Sequence, residues 1–218
     1  SLILFIGDDI TPDHNFLIEH LNTHNNLNHS GKTAVLGYTA WPKSFRVTPF
    51  LEFINGYGHQ FGYELIKNGE ILDFTLFYTS NISLSKNFLT GMSHVFDEDF
   101  NVYGWEDIEL GYRLQQKGMH IIYNSKAKAE HYHKMNTFSF CKRQVNVGMG
   151  AHTIFSKHPE LYRLLNTHRV STWVRHKHFA SILRFFIFLC DMLNIRLPHL
   201  IYRYVLNVYY SIGYMSKL

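Results

Sequence analysis

Cysteine is scarce in this chain: Cys141 and Cys190 are the only two among 218 residues. They can form one disulfide at most, which excludes a disulfide framework and a Cys-rich zinc site. A reducing, cytoplasmic compartment is the default expectation. Charged residues are few, at 17%, while hydrophobic residues reach 46%, which excludes a disordered chain. No apolar run reaches the ~20 residues that a membrane span needs. A Gly-rich phosphate loop is also missing, because Gly148 and Gly150 in "NVGMGAH" lack a strand-turn-helix context. No signal-peptide pattern, internal repeat or low-complexity segment is visible. The first residue is not Met, and an apolar strand starts at once, so the chain reads as a fragment or the product of a split reading frame.

What the sequence does have is a surplus of aromatic residues, 16% of the chain with 18 Phe and 14 Tyr. That suits a sugar-handling or membrane-contacting protein, and equally an aromatic core. Net charge is +4 and unevenly spread. Residues 168 to 218 carry seven Lys or Arg against one acid, Asp191, a net +6 that leaves −2 on the remaining 167 residues. A basic tail on a mildly acidic body points to an anionic surface as partner. The length suits one domain with an appendage, and we divide the chain into a body over 1–167 and a helical, basic, aromatic tail over 168–218.

Strands and helices alternate along the body, the signature of an α/β fold. The run "LILFI" at 2–6 predicts a buried, parallel strand. Pro12 suits a first helical turn, and Phe16, Leu17, His20, Leu21 and His24 mark one face of the helix that follows. "NNLNHSGK" reads as a loop, 33–41 as a strand, 48–55 as a short helix, and Asn68-Gly69 as a hairpin turn. Residues 77–85 alternate like a strand. A helix starts near Glu106 and ends at Gly118, "HIIY" is a strand, and 137–167 reads as helical. In the tail, "FASILRFFIFLCDML" and "PHLIYRYVLNVYYSIGYM" mix apolar, aromatic and basic residues. That pattern suits helices lying in a membrane interface; the competing reading is a helix pair packed on the domain or on another subunit.

Three clusters could carry chemistry: Gly7-Asp8-Asp9 after a strand, Glu106-Asp107 opening a helix, and His131-Tyr132-His133 after a strand. Each has a plain structural alternative. Asp8 and Asp9 could cap a helix, Glu106 and Asp107 could favour a helix N-terminus, and the histidines could be surface residues. Carboxylates at the end of a buried strand are nonetheless costly unless paired or bound to a cation.

Taken in order, "LFIGDDITPD", "SNISLSKNFL", "FDEDFNVYGWEDIELGYRLQQKG" and "AKAEHYH" resemble the family 2 glycosyltransferases of the GT-A fold, over about residues 1 to 150. The "GWEDIELGYRL" stretch is also similar to the carboxyl-terminal half of β-1,4-galactosyltransferases. The resemblance implies a Rossmann-like GT-A domain that lacks its N-terminal nucleotide-binding half and is followed by C-terminal helices. It implies a metal site, with Asp9 as the last residue of the family's Asp-x-Asp motif and Gly7 in place of its first Asp. His131 would complete that site, with His133 as the fallback. Imidazole suits Mn²⁺ better than Mg²⁺. Asp8 would contact the donor sugar or ribose. Asp107 would be the general base toward the acceptor hydroxyl. Glu106 would bind acceptor or donor hydroxyls, and Gly104 and Trp105 would line the sugar site, the indole offering an apolar face.

The function expected from the resemblance is a metal-dependent, inverting hexosyl transfer. The donor is a nucleotide sugar, the acceptor a glycan or lipid-linked glycan, and the product a cell-surface polysaccharide. An anionic membrane at the inner face of the cell membrane is a candidate partner, and nucleic acid is not. The rival expectation is a catalytically incomplete, membrane-associated fragment acting as a non-catalytic partner. A metal hydrolase using Asp8, Asp9 and the histidines is disfavoured, because no zincin-type histidine spacing is present.

Overall fold

The computed structural model describes residues 1–26, 32–57, 60, 62–165 and 170–217. The chain falls into two compact units, Ser1–Arg46 with Asn55–Asp97 and Asp107–His133, and Val47–Ile54 with Glu98–Glu106 and Lys134–Leu218. The boundary expected between 167 and 168 lies outside the described residues, as does most of the loop expected at "NNLNHSGK".

The first unit is a mixed α/β structure. Its elements are β1 (Leu2–Ile6), β2 (Ile10–Pro12), α1 (Phe16–Asn26), β3 (Thr33–Ala40), the end of α2 (Pro49–Gly56), β4 (Ile71–Leu72), β5 (Asn81–Ser85), α3 (Glu106–Gln116) and β6 (His120–His131). The strands form one sheet in the order β1-β5-β3-β6-β2, with β4 also on β6. Among the described residues only β3 and β6 run parallel; the other pairs are antiparallel. Ala34, Val35, Leu36, Ile82, Leu84 and Ile121 are fully buried or nearly so, which places the core on the three central strands.

Several expectations change here. β1 is an antiparallel edge strand with β5 as its one partner among the described residues, and it is half-exposed. Its unbroken apolar run has a different cause from interior parallel pairing. Successive strand residues point to opposite faces, and both faces find some cover: Leu4 packs on Ile10, Phe16 and Ala129, while Phe5 meets Phe96 edge-on. Pro12 does not open a helix. It ends β2 opposite Ala129 on the outermost strand of the order, where a residue without an N–H is tolerated. In α1, Phe16, His20 and His24 face inward, whereas Leu17 and Leu21 are exposed. Asn68-Gly69 forms a turn with Gly69 at φ +82°, but the strand after it pairs with β6 rather than folding back on a neighbour.

β6 extends well past "HIIY". Its ladder with β3 jumps from Gly37 opposite Asn124 to Tyr38 opposite Lys128. Residues 125–127 bulge out, and the Asn81 side chain fills the gap, its amide donating to the carbonyls of Ala127 at 3.0 Å and Tyr38 at 3.2 Å. Under α1, the same Asn81 accepts from His20 Nε2 at 2.9 Å, and His20 Nδ1 lies 2.8 Å from the Ser83 hydroxyl. Ser83 in turn is 3.0 Å from His24 Nε2. With the tautomers assigned from this network, each described contact has one donor and one acceptor when His20 is neutral. Burial is the main cause holding the His20 pKa down at about 4, with His24 adding to it and the Asn81 bond opposing it.

The second unit is helical: the first part of α2, then α4 (Thr137–Lys157), α5 (Pro159–Leu165), α6 (Val170–Trp173), α7 (Lys177–Met192) and α8 (His199–Met215). Asn136 starts α4 with a capping box shared with Ser139. The tail's two long helices have different roles. α8 buries Tyr202, Val205, Leu206, Val208, Ser211 and Gly213 and packs on α4 so closely that no side chain fits between. A Cβ on Gly148 would lie 2.0 Å from the Tyr210 carbonyl oxygen, and one on Gly213 would lie 1.9 Å from that of Val145. Asp191 of α7 is buried and accepts from the Phe50 N–H at 2.9 Å, capping α2. Among the described residues, no helix is long and apolar enough to cross a membrane.

Candidate functional site

The turn between β1 and β2 carries the adjacent acids. Ile10 N–H donates to the Gly7 carbonyl at 3.2 Å, and the Asp9 carbonyl accepts from Tyr132 N–H at 2.8 Å. The register of β2 on β6 sets Ile10 opposite His131, so Asp9 comes opposite Tyr132. His131 and His133, two residues apart, flank it from one side. Asp9 Oδ2 lies 3.0 Å from His131 Nε2 and 3.1 Å from His133 Nδ1, and one ligand atom from each of the three residues lies within 4.8 Å of the others. His131 is buried, Asp9 half-buried and His133 exposed.

This donor set fits a divalent cation. Two ligands at about 2.1 Å and at right angles around an ion stand about 3.0 Å apart, which matches both Asp9 to histidine separations. One carboxylate with two imidazoles favours a first-row transition ion such as Mn²⁺ over Mg²⁺. Both histidines converge on Asp9. Asp8 occupies the exposed side of the turn.

Trp41, at the end of β3, stacks on His131, a contact that sequence reasoning missed. The alternation Ala127, Lys128, Ala129, Glu130, His131 is a period-two strand signal that extends β6 to the histidine, and the neighbouring parallel strand brings Trp41 with it.

Gly104, Trp105 and Glu106 belong to the second unit. Gly104 and Trp105 both have positive φ, at 105° and 80°. That is an outlying conformation for a bulky residue, and three contacts accompany it. The Trp105 indole N–H donates to the Val147 carbonyl of α4 at 2.7 Å, and its ring meets Phe155 edge-on. Glu106 Oε2 accepts from the Gly104 N–H at 2.7 Å. Gly150 makes room, since a Cβ there would lie 2.5 Å from the Gly104 carbonyl oxygen. The two glycines of "NVGMGAH" are therefore packing glycines: Gly148 admits α8, and Gly150 admits the loop before α3. Asp107 follows in the first turn of α3, half-buried, with Oδ1 accepting from Ile108 N–H at 2.8 Å.

No family model matches the chain. Over 92 residues it is 32% identical to a chondroitin synthase from Pasteurella multocida (strain Pm70). The match covers 42% of this chain and 9% of that protein, so the chain corresponds to a small part of the relative's length. The likeness points in the same direction as the motif order and no further than a glycosyltransferase.

Proposed function

We propose that the chain carries the metal site and the acceptor base of a glycosyltransferase that moves a sugar from a nucleotide-sugar donor to a glycan or lipid-linked acceptor. The observation that carries this reading is the convergence of Asp9, His131 and His133 at the end of β6. The partial likeness to a chondroitin synthase supports the transferase class, and polysaccharide synthesis is the process we assign to it.

In this reading Asp9, His131 and His133 hold a divalent cation, Mn²⁺ by the chemistry of the donor set. Held by these residues, a cation would supply positive charge against the leaving diphosphate. Asp8, exposed on the same turn, is available to donor hydroxyls. Asp107 takes the proton of the attacking acceptor hydroxyl. A single base acting on the acceptor gives inversion at the anomeric carbon, because no second carboxylate is used as a nucleophile. Glu106, by binding the Gly104 N–H, holds the loop that presents Trp105 and opens α3.

The test is transfer from a panel of nucleotide sugars to oligosaccharide acceptors with Mn²⁺, with Mg²⁺ and with chelator. We expect Mn²⁺-dependent transfer that the chelator abolishes. Transfer that ignores the chelator would remove the metal role. Metal binding without transfer from any donor would favour the non-catalytic partner instead.

A further inference from the structure

α7 has two unlike faces. Ala180, Ile187, Cys190 and Asp191 are buried, whereas Phe179, Ile182, Phe185, Phe186, Leu189 and Leu193, the last just past the helix end, are exposed, Ile182 at 68% and Leu193 at 71%. The positions 179, 182, 186, 189 and 193 follow the three-and-four spacing of a single helical stripe. A contiguous exposed apolar stripe rimmed by polar residues marks an interaction site.

The charge around the stripe says what covers it. From 172 to 217 the one acid is Asp191, which is buried and holds the Phe50 N–H. Arg175 and Lys177 are exposed where α7 begins and Arg203 is exposed beyond its end, while Arg196 there is paired with Glu52. Arg184, inside α7, is turned away from the stripe, stacking on Phe138 at 4.4 Å and Tyr209 at 5.1 Å, so no charge interrupts the apolar surface. A second copy seated on the stripe by two-fold symmetry would bring two basic rims together. An anionic bilayer meets both features: apolar side chains enter the boundary between headgroups and acyl chains, and Lys and Arg reach the phosphates.

We propose that α7 is a membrane-surface helix, lying in the plane of an anionic bilayer with its Phe179-to-Leu193 face inserted, while α8 is the helix that holds the unit together. This inference does not depend on the transfer reading, and its test needs no sugar.

The experiment is co-sedimentation of the 218-residue chain with phosphatidylcholine vesicles, with and without phosphatidylserine, at low and high salt. Binding should require phosphatidylserine and weaken about tenfold or more in high salt, where exposed charges are screened. The double variant Ile182→Glu/Phe186→Glu should bind about tenfold more weakly or worse. Leu65→Glu, an exposed apolar position in the first unit, should bind like the parent. Both altered positions are exposed, so circular dichroism should be unchanged. If the double variant misfolds, Arg175→Ser/Lys177→Ser supplies the same test through the charge component. The proposal fails if the chain ignores phosphatidylserine vesicles at low salt, or if the folded variants bind undiminished. It also fails if the parent chain is a dimer that the double variant splits, which would assign the stripe to a second copy.

Discussion

The indole of Trp41 lies nearly parallel to the imidazole of His131, with 15° between the ring planes and 5.8 Å between centroids. A cation on Asp9, His131 and His133 would therefore sit close to an intrinsic fluorophore. Mn²⁺ should quench part of the tryptophan emission with a saturable profile, and Trp41→Phe should remove that part. Asp9→Asn should raise the midpoint at least about tenfold, since even groups that only support metal ligands are worth that much. An unchanged midpoint in Asp9→Asn would take the metal away from this cluster.

Asp107→Asn keeps the shape of the side chain and removes its basicity. With Asp107 as the base, turnover should fall about a hundredfold or more, with little change in donor affinity. Glu106→Gln should behave differently, because its amide oxygen can still accept from the Gly104 N–H; a loss as deep as that of Asp107→Asn would exchange the two roles. Steady-state kinetics with donor and acceptor varied separately would distinguish them.

The crossing of α4 and α8 leaves no room for a methyl group. Gly148→Ala should cost roughly 1–3 kcal/mol, the range for overpacking a filled core, and should lower the melting temperature by several degrees. Gly56→Ala, where a Cβ meets nothing within 4 Å, should leave the melting temperature nearly unchanged. Thermal unfolding followed by circular dichroism reads both variants.

His20 gives stability a pH dependence. Its folded pKa of about 4 lies below the ordinary 6.5, so the unfolded chain takes up a proton that the folded chain refuses. The contribution is whole above about pH 6.5 and is lost as the pH falls toward 4, by on the order of 3 kcal/mol in total. His20→Gln removes the titration. Urea midpoints measured from pH 7 to pH 4 should fall more steeply for the parent chain than for the variant, and parallel slopes would clear His20 of the effect.

Much of the α/β body is legible in the sequence, because it rests on local signals. Apolar runs mark β3, spacing and Gly118 mark α3, and "AEHYH" puts two histidines on one side of a strand. What is not legible depends on partners distant in the chain. "LILFI" reports that both faces of β1 are covered but not how many strands flank it. The bulge at 125–127 inserts an odd number of residues, so counting by twos from Ile121 sets His131 on the wrong face of β6. The context of Gly150 rules out a phosphate loop, but what it packs against, Gly104 and Trp105, lies far upstream and leaves no local signal. The two stretches of the tail read alike, because α7 and α8 share a composition and differ only in what covers them.

The contact between α4 and α8 also governs how the chain can be handled. A basic, aromatic carboxyl-terminal segment invites trimming when a protein is prepared for solution work. Here a cut before α8 would strip α4 of its neighbour along a seam of bare backbone and uncover Phe50 and Phe53, on which Tyr202 packs. A more tractable form is better sought by repainting the outward side of α7 with polar residues and leaving the last helix intact.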